Sequence, residues 1–136
     1  MKLIRLGFLL LLMPGISACR TVTDQASRSD VPGIDIYGLR IENRSFSLVT
    51  EVMLLVTKTG EFISCGNIPM RGLCSTTFPL RRYQGNRIEI KWKQAGTQWS
   101  TGEFVVDPPA HIDPLKPAMV RVIITTEGLA ATELVQ

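Results

Sequence analysis

Histidine is almost absent from this sequence. It occurs once, as His111 in a proline-rich stretch, and cysteine occurs three times, as Cys19, Cys65 and Cys74. A zinc site takes about four ligands of these types, and a thiol redox pair takes Cys-x-x-Cys spacing, which the sequence lacks. It also has no Gly-x-Ser-x-Gly motif and no glycine-rich phosphate loop. We therefore predict that the protein is not an enzyme and has no metal or cofactor.

Long apolar runs are missing too. The one pronounced run, Leu3 to Met13, is shorter than the roughly 20 residues that a membrane-spanning helix needs. Lys2 and Arg5 lie in its first part, Pro14-Gly15 ends it, and small residues follow up to Cys19. This order is typical of a cleaved secretory signal peptide; the alternative is an uncleaved anchor helix.

The segment Ile16-Ser17-Ala18-Cys19 resembles the lipobox of bacterial lipoproteins. The resemblance implies that residues 1–18 are removed, that Cys19 carries the acyl chains, palmitate among them, and that the mature chain is anchored to a membrane. Position 20 is Arg and not the Asp that retains many such proteins at the inner membrane. The resemblance therefore favours the outer membrane, with the protein facing the periplasm.

Loss of the leader also changes the charge. The chain has 15 Lys and Arg against 12 Asp and Glu, and the leader contains two of the basic residues, Lys2 and Arg5. The mature chain is then close to neutral, so no basic surface for nucleic acid is expected. Residues 19–33 are polar apart from the end, which predicts a flexible tether, and residues 34–136 suffice for one small domain.

Beyond the tether, apolar residues recur with a period of two, most clearly at Ile88, Ile90 and Trp92. Such alternation predicts strands with one buried face. We expect an all-β domain, a single immunoglobulin-like or transthyretin-like sandwich of seven or eight strands. Residues 52–56 are apolar at both parities and predict a central strand covered on both sides. Residues 107–117 are predicted to cross between the sheets. The expected strands are 34–42, 48–57, 61–66, 73–79, 87–94, 97–106, 118–126 and 129–135.

The remaining two cysteines, Cys65 and Cys74, predict a disulfide, because the leader implies an oxidising compartment. We expect them on adjacent antiparallel strands joined by the loop 66–73, where closing a loop of about ten residues stabilises the fold by about 2–3 kcal/mol.

The stretches 63–69, 74–79 and 82–86 are similar to small proteobacterial lipoproteins, over about residues 37–106. Those proteins have no assigned activity, so the resemblance implies a common family but no function for this protein.

Candidate contact residues lie on two predicted loops. Loop 66–73 offers Ile68 and Met70, and the segment 81–86 offers Arg82 and Tyr83. Such loops bind partners when a rigid scaffold holds them, although both are equally explained as plain connections. Trp99 is either a surface anchor or a core residue.

Two further residue sets have open interpretations. Trp92 shares the parity of the apolar strand residues and is expected in the core. Glu89 and Glu103 are the best candidates for a pair of glycosidase carboxylates, with a solvated charged face as the more ordinary explanation.

These observations predict a non-catalytic envelope lipoprotein whose periplasm-facing domain binds a protein partner or supports envelope structure. One alternative is a subunit of a secretion or envelope-assembly system, since the outer-membrane lipoprotein of type VI secretion also combines a small β-sandwich with a tether. Another is a periplasmic enzyme inhibitor that inserts loop 66–73 into an active site.

The lipid anchor is testable at Cys19. Cys19→Ser should abolish palmitate incorporation and release the protein from membranes, because serine has no thiol to acylate. Labelling cells with palmitate and fractionating the membranes measures both effects. Cys65→Ser should keep the label, since Cys65 has no lipobox before it. Incorporation that persists in Cys19→Ser would contradict the prediction.

Overall fold

The structure, a computed structural model, describes residues 33–126 and 128–136. The predicted signal peptide, the lipid site Cys19 and all but the last residue of the tether lie outside the described residues. Within them, every regular element is a β-strand. The eight strands are β1 Ile34–Asn43, β2 Val49–Val56, β3 Phe62–Ile68, β4 Leu73–Tyr83, β5 Ile88–Gln94, β6 Thr97–Ser100, β7 Ala118–Thr126 and β8 Leu129–Val135.

The strands form two packed four-stranded sheets, which confirms the predicted β-sandwich. The first sheet has the order β4-β1-β7-β8 and the second the order β3-β2-β5-β6. Neighbouring strands are antiparallel except β1 and β7, which are parallel. Because β6 lies in the second sheet and β7 in the first, residues 107–117 cross between the sheets as predicted.

The period-two pattern of β5 produces the core as expected. Ile88, Ile90 and Trp92 are buried, and the alternating Glu89 and Lys91 lie on the outer face. Glu89 is less exposed than predicted, with a side-chain exposure of 17%. The inner faces of the two sheets, with Val106 and Ile112 from the segment between β6 and β7, bury eighteen apolar side chains in one cluster, which is the core of the domain.

Strand β2 is central, between β3 and β5, but it is not covered on both sides. Val52 and Leu54 are buried, whereas Met53 and Leu55 are half-buried on the outer face. No described segment packs over that face as a third layer. The continuous apolar run of β2 therefore consists of one set of side chains in the core and an alternating set that is half-buried on the outer face.

Two strand boundaries differ from the prediction. β6 ends at Ser100 and not at residue 106, because Gly102 adopts a φ of +66° and only Phe104 returns to bridge Ile88. β4 continues to Tyr83, since residues 81–83 pair with the first residues of β1. The segment 81–83 is therefore strand and not loop.

Cys65 and Cys74 form the predicted disulfide, with 5.9 Å between their Cα atoms. The expectation that they lie on adjacent strands of one hairpin is wrong. β3 is an edge of the second sheet, and β4 is an edge of the first and pairs with β1. The disulfide therefore joins the two sheets along one lateral edge of the sandwich.

The amide of Asn43 lies at the end of β1 and is completely buried. Its Nδ2 donates hydrogen bonds to the carbonyl oxygens of Ser47 at 2.8 Å, Ile68 at 3.0 Å and Pro69 at 3.1 Å. Its Oδ1 accepts from the backbone N–H and the hydroxyl of Ser45 at 3.0 and 2.6 Å. One side chain thus holds the β1–β2 and β3–β4 connections against each other.

Gln94, at the end of β5, extends this network into the second sheet. Its Nε2 donates to the hydroxyls of Ser45 at 2.9 Å and Ser47 at 2.8 Å, and its Oε1 accepts from Nε1 of Trp92 at 3.4 Å. Buried polar groups of this kind are costly unless they are satisfied, and here each amide oxygen and nitrogen has a partner.

Replacing Asn43 tests the importance of this network. Asn43→Ala should lower the free energy of unfolding by about 3 kcal/mol, because it removes all the hydrogen bonds of a buried amide and leaves the backbone N–H of Ser45 without its acceptor. Urea unfolding measures the loss. Asn67→Ala is the matched control, since Asn67 lies on neighbouring β3 with its side chain exposed. Equal stability of the two variants would show that the network does not hold the fold.

Candidate functional site

Two predicted contact residues are not available to a partner. Ile68 is 1% exposed and Tyr83 is 9% exposed, so the prediction that they form exposed loop contacts is wrong. Ile68 ends β3 with its side chain in the core, and the backbone around it is fixed by Asn43. Tyr83 lies in the core because β4 extends to it.

Tyr83 instead fixes the long crossover. Its hydroxyl donates to the carbonyl oxygen of Val106 at 3.0 Å and accepts from the backbone N–H of Val106 at 2.8 Å. Burial raises the pKa of the Tyr83 phenol, and the nearby Asp107 carboxylate raises this pKa further, against the opposing effect of the Val106 hydrogen bond. The role of Tyr83 is therefore structural.

Arg82 and Met70 are exposed but lie at opposite ends of the sandwich. β4 begins beside the Met70 turn and ends at Tyr83, the residue after Arg82, and its eleven residues span about 33 Å. Arg82 forms an ion pair with Asp35 at 3.3 Å and covers Gly33, the first described residue. We call the end that contains Gly33 the basal end and the end that contains Met70 the apical end.

Trp92 is completely buried, as predicted for a core residue. Trp99 is half-buried and packs against the core. Its ring lies over Gly128, where a Cβ would approach the ring to 2.6 Å. Trp99 therefore closes the lateral edge of the sandwich opposite the disulfide, and it is not a free surface anchor.

Exposed apolar side chains are concentrated at the apical end. Five large ones come from its connections and strand ends, and we call them the apical surface: Phe46, Leu48, Met70, Leu73 and Leu129. Phe46 is 84% exposed and Met70 is 52% exposed. Of these residues the sequence analysis identified only Met70. Phe46 and Leu48 could have been found from the sequence, because they are large apolar residues in the turn-like segment 43–48, where polar residues are usual.

The turn that presents Met70 is a tight one. The backbone N–H of Gly72 donates to the carbonyl oxygen of Pro69 at 2.8 Å, so Met70 and Arg71 are its two central residues. Arg71 has a φ of +59°, a left-handed conformation that costs a non-glycine residue about 1 kcal/mol. Glycine is preferred at this position of such turns, so the local fold does not call for arginine here.

A cluster of ionic groups lies beside the apical surface on the outer face of the first sheet. Arg121 binds Glu42 through Nε at 2.9 Å and Nη2 at 3.1 Å. Arg40 and Arg44 also contact this carboxylate, at 3.1 and 2.9 Å, and Glu133 binds Arg121 at 3.0 Å. Three guanidinium groups against two carboxylates leave this cluster positive.

The hydrogen bond from Arg121 lowers the pKa of Glu42, and Arg44 adds to the lowering, against the opposing effect of burial. Because this pKa is lowered from the ordinary value of 4.5, the Glu42 carboxyl is charged at neutral pH. The same contact raises the pKa of Arg121.

Glu89 and Glu103 take part in separate contacts. Glu89 accepts a hydrogen bond from the Ser100 hydroxyl at 2.6 Å, which lowers its pKa, and Lys91 lowers this pKa further. Glu103 faces Arg87 at 3.9 Å. A general acid at neutral pH needs a raised pKa, and the shift at Glu89 is in the other direction.

Within residues 33–126 and 128–136, no three His, Cys, Asp or Glu side chains lie together as potential metal ligands. The same residues include no helix with the length and apolar character of a transmembrane span. A groove of about 430 Å³ opens at the lateral edge between β8 and the segment that follows β6. It is lined by Thr101, Phe104, Val105, Val106, Asp107, Ala130 and Thr132.

The chain matches no protein-family model and no curated protein. Among solved structures it is similar to one described as "NMR structure of the protein from Eubacterium rectale", with a TM-score of 0.43 and 9% identity. The match covers 74% of this chain and 86% of the other.

The ionic cluster predicts a specific pH dependence. The lowered pKa of Glu42 stabilises the folded state above the ordinary carboxyl value of 4.5, and this contribution is lost as the pH falls through the folded-state pKa. Glu42→Gln should therefore be less stable than the wild type at neutral pH, and the difference should shrink in acid.

Urea unfolding at neutral pH and at several values below 4.5 measures this difference. Glu133→Gln is the control, since that side chain is 47% exposed and its pair with Arg121 is more strongly screened by solvent. A stability gap for Glu42→Gln that stays constant with pH would contradict the prediction.

Proposed function

We propose that this protein is a non-catalytic envelope lipoprotein, anchored by Cys19 to the outer membrane and facing the periplasm, whose domain binds a protein partner through the apical surface. The observation that carries the proposal is the placement of exposed apolar groups. Five of the nine large apolar side chains exposed in the described chain lie at the apical end.

The direction of the chain supports this assignment. The tether joins β1 at Gly33, at the basal end, and β1 runs about 33 Å from there to Asn43 at the apical end. A tether of residues 19–33 attached to a membrane then leaves the apical surface as the part of the domain that is farthest from the attachment point.

The physical character of the apical surface favours a protein over a small molecule. Small ligands bind in concave pockets, whereas Phe46 and Met70 project from convex turns. Aromatic residues, methionine and arginine are the types enriched at protein interfaces. Arg44, Arg71 and the positive cluster around Glu42 flank the apolar side chains, so we expect an apolar partner surface fringed by acidic groups.

The strained Arg71 supports the same conclusion. Glu51 and Ala95 are left-handed as well, but Arg71 combines this strain with a long cationic side chain beside the exposed Met70, where glycine would avoid the cost. The turn that presents it is held at both sides, by the hydrogen bond from Asn43 to Pro69 and by the nearby disulfide. A turn that is already rigid loses little entropy on binding.

The same rigid turn keeps one alternative open. A protruding Met70-Arg71 pair on a fixed turn has the shape with which enzyme inhibitors enter active sites. In that case the partner recovered from the envelope is an enzyme, and its activity falls when the protein is added. A partner without such an effect favours the assembly or structural role.

The decisive experiment separates binding from stability. Arg71→Gly should raise the free energy of unfolding by about 0.5–1 kcal/mol, because glycine adopts the left-handed conformation without strain. The same variant should lose the envelope partner that co-purifies with the full chain. Met70→Ala should weaken the association with little change in melting temperature.

Two matched controls complete this experiment. Ala95→Gly relieves the same backbone strain at another apical turn, where φ is +49°, and leaves Arg71 in place, so it should keep the partner. Leu115→Ala removes a 92% exposed apolar side chain from the basal end and should also keep it. If Arg71→Gly and Met70→Ala retain the partner as these controls do, the apical surface is not the binding site.

A further inference from the structure

The sandwich has four edge strands, and each has backbone groups without a strand partner on one side. They are β4 and β8 in the first sheet and β3 and β6 in the second. Such edges pair readily with strands of other chains, and proteins block them with short strands, proline, charges, bulges or cross-links. An edge strand that carries none of these features is therefore a position where a strand of another chain can be added.

Three of the four edges are blocked. β3 and β4 are joined by the Cys65–Cys74 disulfide. β4 also contains Pro79 and two consecutive arginines, and β3 contains Gly66 in a left-handed conformation with a φ of +61°. β6 has only four residues. None of these strands offers a long regular edge.

β8 differs from the other edges. Its seven residues, Leu-Ala-Ala-Thr-Glu-Leu-Val, include no proline, glycine or lysine, and they pair with β7 without a register shift from Ala130 to Val135. Its one charged side chain, Glu133, is bound by Arg121 at 3.0 Å. After β8, the side chain of Gln136 donates to the carbonyl oxygens of Asp113 and Lys116 at 2.7 and 2.9 Å, which fixes the end of the strand.

We propose that the free edge of β8 pairs antiparallel with β8 of a second copy of this chain, about a twofold axis at Thr132. This proposal concerns the free edge of β8, which shares only Leu129 with the apical surface, and it does not depend on the proposed function. A closed dimer of this kind joins the two first sheets into one continuous eight-stranded sheet. An isologous interface is the commonest way in which soluble chains associate.

The sequence of β8 selects this register. A twofold axis at Thr132 pairs all seven residues, from Leu129 opposite Val135 to Val135 opposite Leu129. An axis at Glu133 places two carboxylates directly opposite each other, which is unfavourable. An axis at Ala131 pairs only five residues. At Thr132 the small Ala130 lies opposite the large Leu134, so side-chain sizes are complementary on the inner face.

The groove beside β8 gives this interface further contact area of mixed character. Ala130 and Thr132 form one wall, and Phe104 and Val105 contribute to the other. Val105 is 37% exposed at this open edge of the sandwich. A second β8 strand laid along the edge covers the mouth of the groove, so side-chain contacts add to the backbone hydrogen bonds.

Two lysine variants of adjacent residues test the register in the full-length chain in detergent solution. Thr132→Lys places two like charges at the twofold axis and should abolish the dimer. Ala131→Lys places a lysine opposite Glu133 of the second copy and should keep the dimer or strengthen it. Sedimentation over a range of protein concentrations measures the mass, and melting curves verify that both variants fold.

Cysteine cross-linking tests the contact directly. Thr132→Cys should give a disulfide-linked dimer in cell envelopes, whereas Thr77→Cys, exposed on β4 at the other edge of the same sheet, should give only background. A wild-type chain that sediments as a monomer, equal cross-linking of the two cysteine variants, or cross-linking of Thr132→Cys only to a different protein would each overturn the proposal. Loss of the dimer in both lysine variants would overturn the register.

Discussion

The buried amide of Asn43 is the interaction on which the apical half of the domain depends. A side chain with two donors and an acceptor ends the central strand β1, and its donors serve three backbone carbonyl groups from two connections. Those connections carry Phe46 and Met70. Without the amide, the two connections would lose the donor that they share, the buried backbone N–H of Ser45 would lose its acceptor, and the surface that they support would lose its fixed shape.

The two lateral edges of the sandwich are closed by different means. On one side a covalent bond between Cys65 and Cys74 joins β3 to β4. On the other side Trp99 packs over Gly128, and a groove lies between β8 and the segment 101–107. The disulfide edge is therefore fixed, whereas the tryptophan edge depends on packing and retains a free strand.

The strand positions could be predicted from the sequence, because a period of two directly reports which face is buried. All eight expected strands are present, and most boundaries agree within one or two residues. Pairing could not be predicted in the same way. The short connection from β3 to β4 is compatible with a hairpin or with a passage between sheets, and only the pairing of β4 with β1 decides between them.

The candidate site was harder to predict than the fold. Ile68 and Tyr83 are typical interface residues, but their burial depends on Asn43 and on Val106, which lie 25 and 23 residues away in the sequence. The alternation of apolar and polar residues also cannot show that the backbone of Arg71 is left-handed. That conformation follows from the turn closed by the hydrogen bond from Gly72 to Pro69. The sequence shows residue types and local periodicity directly. Which side chains are buried at this site depends on contacts between residues far apart in the chain, and these could not be predicted from it.

The parallel pairing of β1 with β7 has a consequence for the order of folding. β1 comes first in the domain and lies between β4 and β7, the second of which begins more than 80 residues later. Leu39 and Ile41 of β1 are fully enclosed only when that last part of the chain has arrived. Contacts this distant in sequence slow folding, and intermediates that lack them expose apolar strands. During synthesis from the N-terminus, β1 therefore stays unpaired with β7 until the last part of the chain is made. A chaperone that binds β1 would have a longer period of access than one that binds any later strand.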